Sequence, residues 1–226
     1  APLPSPAAPV PGALAVLGDN AAPPFTHVGE ARPLCVEGAF AYCGGGRHED
    51  PRGFYEEIVL DADEEAVVRQ SGYAVSRRNV LRGMHCSPYG KIVVCLAGEM
   101  WDAIVDLRPG SPTYLRWDAV VLSPERRTRI YVPPGVAHGY LATKDGTLSL
   151  YLKLGCFDKE KEIEVHARDP ALGIPWPAPR GGASEYIVSA KDSALPFAAQ
   201  VGRAAAPVCG DPTRPPAQEP LPRSRL

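Results

Sequence analysis

Three side chains capable of chemistry lie close together in NVLRGMHCSPYGKIVV, residues 79–94. His85 can move a proton near neutral pH, Lys91 can stabilise a developing enolate oxygen, and Arg82 can hold a phosphate. Alternate residues of an extended strand point to opposite faces, so we expect His85 inward and Arg82 on the other side. Taken singly, each residue type is more often structural, and both interpretations stay open at this point.

A metal centre is the first alternative use for the histidines. His85 and His138, the latter in PPGVAHGY, both lie on strand-like segments. Metal-binding jelly rolls of the cupin type place two histidines two residues apart on one strand and another after a P-x-G turn. PPGVAH resembles the second element, but Ser87 stands two residues after His85. We therefore predict no metal and no other cofactor, with a metal-dependent oxygenase or isomerase as an alternative that metal analysis would test.

Short strand-like segments separated by Gly and Pro must position these residues. Each combines β-branched or aromatic residues with period-two alternation or a short apolar run. They read LCVEGAFAYC, GFYEEIVL, YAVSRR, KIVVCLAG, EMWDAIVDL, YLRWDAVVLS, RIYVPP, HGYLATK and TLSLYLKL. Turns are expected between them, for example at GGGRHEDPRG, and only DADEEAVVRQ has helical character. The sequence predicts an all-β fold, a cupin-type jelly-roll barrel or sandwich with short peripheral helices.

Composition limits the other possibilities. The chain has 226 residues, of which 45% are hydrophobic and 22% charged, with a net charge of -2. No apolar run is long enough for a membrane span, and the arginines form no stripe for nucleic acid. More than half of the 26 prolines lie near the ends. We predict a Pro/Ala-rich tail over residues 1–33, one domain over 34–200, and a Pro/Arg-rich tail over 201–226.

Cysteine usage and the first residues bear on location. The six cysteines contain no C-x-x-C pair, although a single disulfide stays open. The first twenty residues lack a basic region and are broken by prolines, so we recognise no signal peptide. We predict a reducing, cytoplasmic compartment.

Several motifs in order resemble the dTDP-4-dehydrorhamnose 3,5-epimerases, cupin-type jelly rolls that use no metal. The resemblance runs from about Leu34 to Phe197, and its motifs are DPRGFYEE, VLRGMH, GKIVVCLAGEMWDAIVDLRPGSPTY, VPPGVAHGY, DPALGIPWP and SAKDSALP. It implies a general base at His85, oriented by Asp192. It also implies an enolate-stabilising cation at Lys91 and an acid at Tyr151 on the opposite face of the sugar ring. A base alone would only exchange the proton, so inversion requires the second group.

Further residues are implied to bind the nucleotide and its diphosphate. They are Arg52, Glu57, Gln70, Arg82, His138, Phe157, Glu162 and Lys191. Phe157 stands where the family often has a tyrosine stacked on thymine, and its ring can serve the same purpose. Three features depart from the family: the CSPY loop after His85 is short, Gln-x-Asn appears as QSG, and Leu152 replaces a lysine after Tyr151.

The resemblance implies epimerisation of dTDP-4-dehydro-6-deoxy-D-glucose at C3 and C5, giving dTDP-4-dehydro-L-rhamnose. A 3- or 5-epimerase of a related deoxysugar, and a sugar-nucleotide-binding cupin without catalysis, stay open as alternatives. The family is usually homodimeric and exchanges an N-terminal strand, which would place DPRGFYEE in the partner's site. The enzymatic interpretation requires the Tyr151 hydroxyl in the cavity that holds the His85 ring, and Asp192 within reach of that ring.

Overall fold

The structure is a computed structural model, which describes residues 30–58 and 67–201. Its strands and helices are β1 (Glu30–Pro33), β2 (Phe40–Cys43), β3 (Arg47–Asp50), β4 (Gly53–Glu56), β5 (Gln70–Ser76), β6 (Leu81–Cys86), β7 (Lys91–Ala97), β8 (Met100–Asp106), β9 (Trp117–Leu122), β10 (Thr128–Val132), β11 (Val136–Ala142), β12 (Thr147–Lys153), β13 (Ile163–Glu164), α1 (Ala190–Ser193) and α2 (Ala198–Val201). In these two ranges, no helix is long and apolar enough to cross a membrane.

The strands form two large antiparallel sheets and a separate hairpin. One sheet has six strands in the order β1-β2-β10-β7-β12-β5, and the other has five in the order β13-β6-β11-β8-β9. Strands β3 and β4 pair only with each other. The two sheets pack face to face, because one buried cluster takes Val93 and Ile130 from the first and Ile104 and Leu122 from the second. The predicted all-β jelly roll is confirmed.

Period-two alternation decides which side chains enter the space between the sheets. In β7, Val93 and Cys95 belong to the inner cluster, whereas Ile92 and Val94 pack on the outer face. Lys91 has the same parity as Val93 and therefore points inward. A third cluster, which includes Leu172 and Ala198, covers the outer face of the five-stranded sheet. The C-terminal segment thus closes this face of the sandwich.

Most predicted strands are present, but their ends differ. The predicted helix over residues 61–70 lies largely outside the described residues, and its described end is not helical, since Gln70 begins β5 and pairs with Lys153. Residues 47–50, expected in a turn, form β3 by pairing with β4. Strand β1 pairs with β2, so strand pairing includes residues 30–33, which precede Leu34, the first residue of the predicted domain. In each case hydrogen bonding to a neighbouring strand outweighs local preference.

Four cysteines in the described ranges carry no disulfide. Cys35, Cys43, Cys95 and Cys156 are free thiols, Cys86 is buried in β6, and Cys209 lies outside those ranges. The main core is apolar and takes residues from both sheets, so the sandwich does not depend on a disulfide for its stability.

Candidate active site

A cavity of about 250 Å³ opens between the two sheets. The predicted residues that line it are His85, Lys91, Tyr151, Arg82, His138, Phe157, Glu162 and Lys191. Its walls come from both sheets: β6 and β11 on one side, β7 and β12 on the other. Residues far apart in the sequence therefore meet around a space large enough for a sugar ring.

Arg82 and His85 line this cavity together, which corrects the expectation that strict alternation would separate them. Leu81, Met84 and Cys86 pack in the outer cluster, so the alternation of β6 breaks near Gly83. Gly83 has φ +124°, a region that L side chains rarely adopt, and a Cβ there would lie 2.6 Å from the Cα atom of Gly139. The register of β11 against β6 shifts at the same place. A glycine is required for this bulge, which turns both functional side chains inward.

His85 is braced by a carboxylate from the end of the domain. Its Nε2 atom lies 3.2 Å from Oδ1 of Asp192, in α1, and Oδ2 of Asp192 accepts a hydrogen bond from the backbone N–H of Gly83 at 3.2 Å. Burial tends to raise the pKa of Asp192, but the hydrogen bonds from His85 and Gly83 outweigh it and keep this pKa below its ordinary value. An ionised carboxylate only accepts, so in the neutral ring Nε2 of His85 carries the proton and Nδ1 carries none. Oε1 of Glu164 lies 3.8 Å from Nδ1, beyond hydrogen-bond distance.

Lys91 is a buried cation at the inner face of β7. Its ammonium group donates a hydrogen bond to the backbone oxygen of His85 at 3.2 Å. Burial lowers the pKa of Lys91, and the nearby Lys153 acts in the same direction. An ammonium has three donors, so Lys91 can also donate to a substrate oxygen in this site, where little water screens the charge.

Tyr151 enters the cavity from β12, in the sheet opposite to that of His85. Its hydroxyl oxygen accepts a hydrogen bond from Ser149 at 3.2 Å. Burial raises the pKa of the Tyr151 phenol, and Tyr140 adds to this effect. The phenol is therefore protonated at neutral pH and able to donate. The base and this donor approach the cavity from opposite walls.

His138 and Asp102 form a second buried pair beside the first. Nε2 of His138 lies 2.7 Å from Oδ2 of Asp102, and the His138 ring meets the Tyr151 ring edge to face at 6.1 Å between centroids. Burial lowers the pKa of His138 and raises that of Asp102. The imidazole is thus neutral near pH 7, and it lines the cavity beside the Tyr151 ring.

The open end of the cavity is aromatic and charged. Phe157 is 54% exposed, and the Lys153 ammonium lies 5.3 Å from the centroid of its ring. Glu162 accepts hydrogen bonds from Ser87 at 3.0 Å and Tyr89 at 2.9 Å. Burial, reinforced by Glu162, raises the pKa of Tyr89 to about 12. A flat apolar face beside hydrogen-bonding groups suits a nucleotide base.

The sequence reasoning missed several residues of this lining: Ser87, Tyr89, Tyr140, Lys153 and Glu164. Lys153 could have been predicted from the sequence, because period-two alternation along β12 puts residues 151 and 153 on the same face. Glu164 forms an ion pair with Lys191. Its position follows from the pairing of β13 with β6, which no local pattern announces.

Three residues predicted to bind substrate lie outside the lining. Gln70 is adjacent, since its side-chain oxygen accepts from the backbone N–H of Phe157 at 2.9 Å. Arg52 is at the tip of the β3–β4 hairpin, where it pairs with Asp50, and its side chain is 90% exposed. Glu57 follows β4, and its backbone oxygen accepts from Arg129 at 2.8 Å. In a single subunit the hairpin does not contribute to the cavity.

Residues 30–58 and 67–201 contain no cluster of three or more His, Cys, Asp or Glu side chains arranged to hold a metal ion. The two histidines of the cavity are each paired with a carboxylate instead, His85 with Asp192 and His138 with Asp102. That pairing suits histidines that transfer protons or hydrogen-bond a ligand. A jelly roll whose cavity holds carboxylate-paired histidines and a protonated phenol is suited to proton transfer at carbon.

Known proteins agree with this description. A profile of the dTDP-4-dehydrorhamnose 3,5-epimerase family matches residues 39–200. A dTDP-4-dehydrorhamnose 3,5-epimerase of Mycobacterium tuberculosis is 37% identical over 177 residues, 74% of this chain and 86% of that protein. A dTDP-4-dehydrorhamnose 3-epimerase of Streptomyces niveus is 37% identical over 180 residues, 73% of this chain and 86% of that protein. A solved rmlC epimerase from Mycobacterium tuberculosis has a TM-score of 0.71 and 36% identity, covering 76% of this chain and 90% of that one.

The chain belongs to the dTDP-4-dehydrorhamnose 3,5-epimerase family. It is an enzyme of the isomerase class with the cupin-type jelly roll that the family shares. The resemblance drawn from the motifs is confirmed. The roles of individual residues stay predictions, which the geometry above now makes specific.

Proposed function

We propose that this protein inverts C3 and C5 of dTDP-4-dehydro-6-deoxy-D-glucose and forms dTDP-4-dehydro-L-rhamnose. One observation carries the proposal: His85 and Tyr151 approach a single cavity from opposite sheets, and the Lys91 ammonium lines the same cavity and donates to the backbone oxygen of His85. Inversion at carbon needs an acceptor on one face of a planar intermediate and a donor on the other. The relatives described above are named for action on dTDP-4-dehydrorhamnose, which supports the same class of substrate here.

The reaction begins at the carbon next to the C4 ketone. Nδ1 of His85 takes the proton from that carbon, while Asp192 holds the ring and stabilises the imidazolium that forms. The electrons move to the ketone oxygen, which becomes an enolate and accepts a hydrogen bond from Lys91. Tyr151 then gives its proton to the carbon from the opposite face, and the configuration is inverted.

The rest of the cavity provides for the nucleotide. Phe157 offers a face on which thymine stacks, with Glu162 and Gln70 beside it. Arg82 and Lys191 are cations at the cavity wall that suit the diphosphate. Lys153 adds a further cation next to Phe157, and we assign it to the same group.

The number of carbons inverted is the part on which the relatives divide. One relative is named as a 3,5-epimerase and another, at the same 37% identity, as a 3-epimerase. The same base and acid serve one centre or two, depending on whether the sugar can reorient after the first inversion. A 3-epimerase is therefore the second candidate function.

Deuterium uptake tests the proposal. The purified protein is incubated in heavy water with dTDP-4-dehydro-6-deoxy-D-glucose, and NMR gives the label at each carbon and the configuration of the product. We expect label and inversion at both C3 and C5. Label at C3 alone would select the 3-epimerase, and no label at either carbon would overturn the proposal.

A matched variant separates catalysis from binding. Tyr151→Phe removes the acid and keeps the ring that packs on His138. We expect inversion to disappear while dTDP affinity, measured by calorimetry, stays unchanged. Equal loss of inversion and of dTDP affinity would assign Tyr151 to the fold. A wild-type protein that binds dTDP but takes up no deuterium into the substrate would be a sugar-nucleotide-binding cupin.

We also infer a homodimer in which the β3–β4 hairpin reaches the partner's cavity. Phe54 and Tyr55 are 61% and 63% exposed on this hairpin, more apolar surface than a free hairpin would carry in water. A cytoplasmic location fits the free thiols of Cys35, Cys43, Cys95 and Cys156, and cell fractionation would test it.

A further inference from the structure

A chain of hydroxyl groups runs from the cavity wall to the phenol of Tyr151. The Nε atom of Arg82 donates to the Ser76 hydroxyl at 3.1 Å, which lies 2.9 Å from the Tyr140 hydroxyl. The Tyr140 hydroxyl lies 3.2 Å from Ser149, and Ser149 donates to Tyr151 at 3.2 Å. The chain crosses from one sheet to the other, because Tyr140 belongs to β11 and Ser149 to β12.

The two ends of this chain fix the direction of every proton in it. A guanidinium group can only donate, so Ser76 accepts from Arg82 and keeps its own proton available for Tyr140. Ser149 has one proton, which it gives to Tyr151, and it must therefore accept from Tyr140. The Ala74 carbonyl is also near the Ser149 hydroxyl, but at 3.4 Å it is the more distant acceptor. The four donors, Arg82, Ser76, Tyr140 and Ser149, thus all point along the chain toward Tyr151.

This order acts on the last member of the chain. Tyr151 accepts from Ser149, so its own O–H bond is left to point at a ligand. A phenolate at Tyr151 would keep the Ser149 hydrogen bond and strengthen it, because a charged acceptor makes the stronger bond. Neighbouring hydrogen bonds also polarise one another in a buried site. Ser76, Tyr140 and Ser149 are all buried, with exposures of 2% or less.

We propose that Ser149 and Tyr140 are positioning residues for the acid, an inference that rests on the proposed function. Tyr140 holds the Ser149 hydroxyl in its donating orientation, and Ser149 directs the proton of Tyr151 at the substrate and stabilises the phenolate that remains. In this step the O–H bond of Tyr151 breaks, a C–H bond forms at the substrate carbon, and the electron pair stays on the phenolic oxygen. As the product leaves, the His85 imidazolium releases its extra proton to solvent and the Tyr151 phenolate takes one back through water, so no net proton is gained or lost.

The far end of the chain gives it a second role. Arg82 is the residue that we assign to the diphosphate, and its Nε atom holds the first hydroxyl of the chain. A phosphate that orders the Arg82 guanidinium also orders Ser76, and through it the donors that follow. The nucleotide part of the substrate thereby helps to set the acid that acts on the sugar part.

The test compares inversion with proton exchange, because His85 alone supports exchange. Ser149→Ala removes the donor to Tyr151, and Tyr140→Phe removes the link before it while keeping the buried ring. In heavy water, we expect inversion to fall about tenfold in Ser149→Ala and less in Tyr140→Phe, since a hydrogen bond to a charged group is lost or weakened. Exchange of deuterium into the substrate should stay within about twofold of the unsubstituted protein, because the base is intact.

Two variants control for structural effects. Ser149→Thr keeps the hydroxyl on a strand position and should restore the ratio of inversion to exchange. Tyr186→Phe removes a phenol that donates to backbone oxygens of Trp176 and Pro177, outside the cavity lining, and should leave the ratio unchanged. Thermal melting shows that each variant is folded. If Ser149→Ala does not fold, Tyr140→Phe and Ser149→Thr decide the question.

An unchanged ratio of inversion to exchange in a folded Ser149→Ala or Tyr140→Phe protein would overturn the inference and leave the proposed function standing. An equal fall of inversion and exchange would also overturn it, because the substitution would then act on the whole site. Absence of any deuterium uptake by the unsubstituted protein would overturn the proposed function itself, and this inference with it.

Discussion

His85 and Asp192 are 107 positions apart in the chain, yet Nε2 of the imidazole lies 3.2 Å from Oδ1 of the carboxylate. Helix α1 makes this contact possible, since the Ser189 side chain caps its start by accepting from the backbone N–H of Asp192 at 3.0 Å. The same carboxylate binds the backbone of Gly83, so it is fixed at both oxygens. Asp192 therefore sets both the orientation and the tautomer of the His85 ring.

Asp192→Asn should leave the fold intact and disable the base. The amide has nearly the same shape, but it can donate to Nε2 as well as accept from it. The His85 tautomer with the proton on Nε2 and none on Nδ1 is therefore no longer enforced. It also cannot stabilise an imidazolium. We expect deuterium exchange into the substrate to fall by roughly a hundredfold or more. Exchange close to that of the unsubstituted protein would show that another residue orients His85.

Lys91 gives a prediction on stability and pH. Burial puts its pKa in the folded protein below that in the unfolded chain. Between these two values the unfolded chain binds more protons, so the folded state gains stability as the pH rises through this window. Lys91→Met lacks this gain. We expect the stability of the wild type relative to Lys91→Met, measured by urea unfolding, to increase from pH 7 to pH 10.

The Lys91→Met variant should lose activity without losing stability. Lys91→Met removes the cation beside the enolate, and we expect turnover to fall by roughly a hundredfold, while stability at pH 7 is kept or raised. Lys144→Met, on an exposed turn, is the control and should change neither quantity. A Lys91→Met protein with normal turnover would remove Lys91 from the mechanism.

Asp102 should be a structural necessity for His138. Both side chains are buried, and within the described residues Oδ1 of Asp102 has no hydrogen-bond partner, so Nε2 of His138 is the contact that this carboxyl makes. Asp102→Ala would leave a buried imidazole nitrogen without a partner. We expect a loss of about 2 to 3 kcal/mol in the free energy of unfolding, measured with urea.

The matched control for Asp102→Ala is Asp158→Ala, which removes an exposed carboxylate that pairs with Lys161 at 3.0 Å. A surface pair contributes little, so the change should stay below about 0.5 kcal/mol. Similar values for the two variants would mean that water or a rearranged side chain replaces Asp102.

The sequence predicts the parts of the site that depend on short-range geometry. Parity along β7 places Lys91 inside with Val93, and parity along β12 places Tyr151 inside, so hydrophobic alternation alone locates these two groups. Parity fails for Arg82 and His85, because the conformation of Gly83 and the shift in register opposite it break the alternation. A single glycine in a strand signals such a bulge, but not which side chains it redirects.

Long-range contacts could not be predicted from local patterns. The role of Asp192 came only from the resemblance to the family, because the contact with His85 depends on how the last segment returns to β6. The Tyr140–Ser149 contact joins residues of two different sheets, so it depends on the packing of the sandwich as a whole. Strand pairing and sheet packing, not residue type, decide both.

The β3–β4 hairpin yields the last prediction, on assembly. Arg129 is 2% exposed, and it holds the base of this hairpin by donating to the backbone oxygens of Glu57 and Ile58 at 2.8 and 2.9 Å. Arg52, at the tip, has a side chain that is 90% exposed. An anchored base with a projecting tip suits a hairpin that completes the cavity of a second subunit, and mixing two inactive variants tests this.

Arg52→Ala keeps His85, whereas His85→Gln keeps Arg52, so each variant alone should have little activity. If the hairpin acts in the partner's site, a mixed dimer contains one site with both residues intact. After unfolding and refolding the two variants together, we expect about a quarter of wild-type activity, because half of the dimers are mixed and each has one restored site. Arg52→Ala mixed with Glu57→Ala should stay inactive, since every site then faces an altered hairpin. No recovery in the first mixture would show that Arg52 acts within its own subunit or not at all.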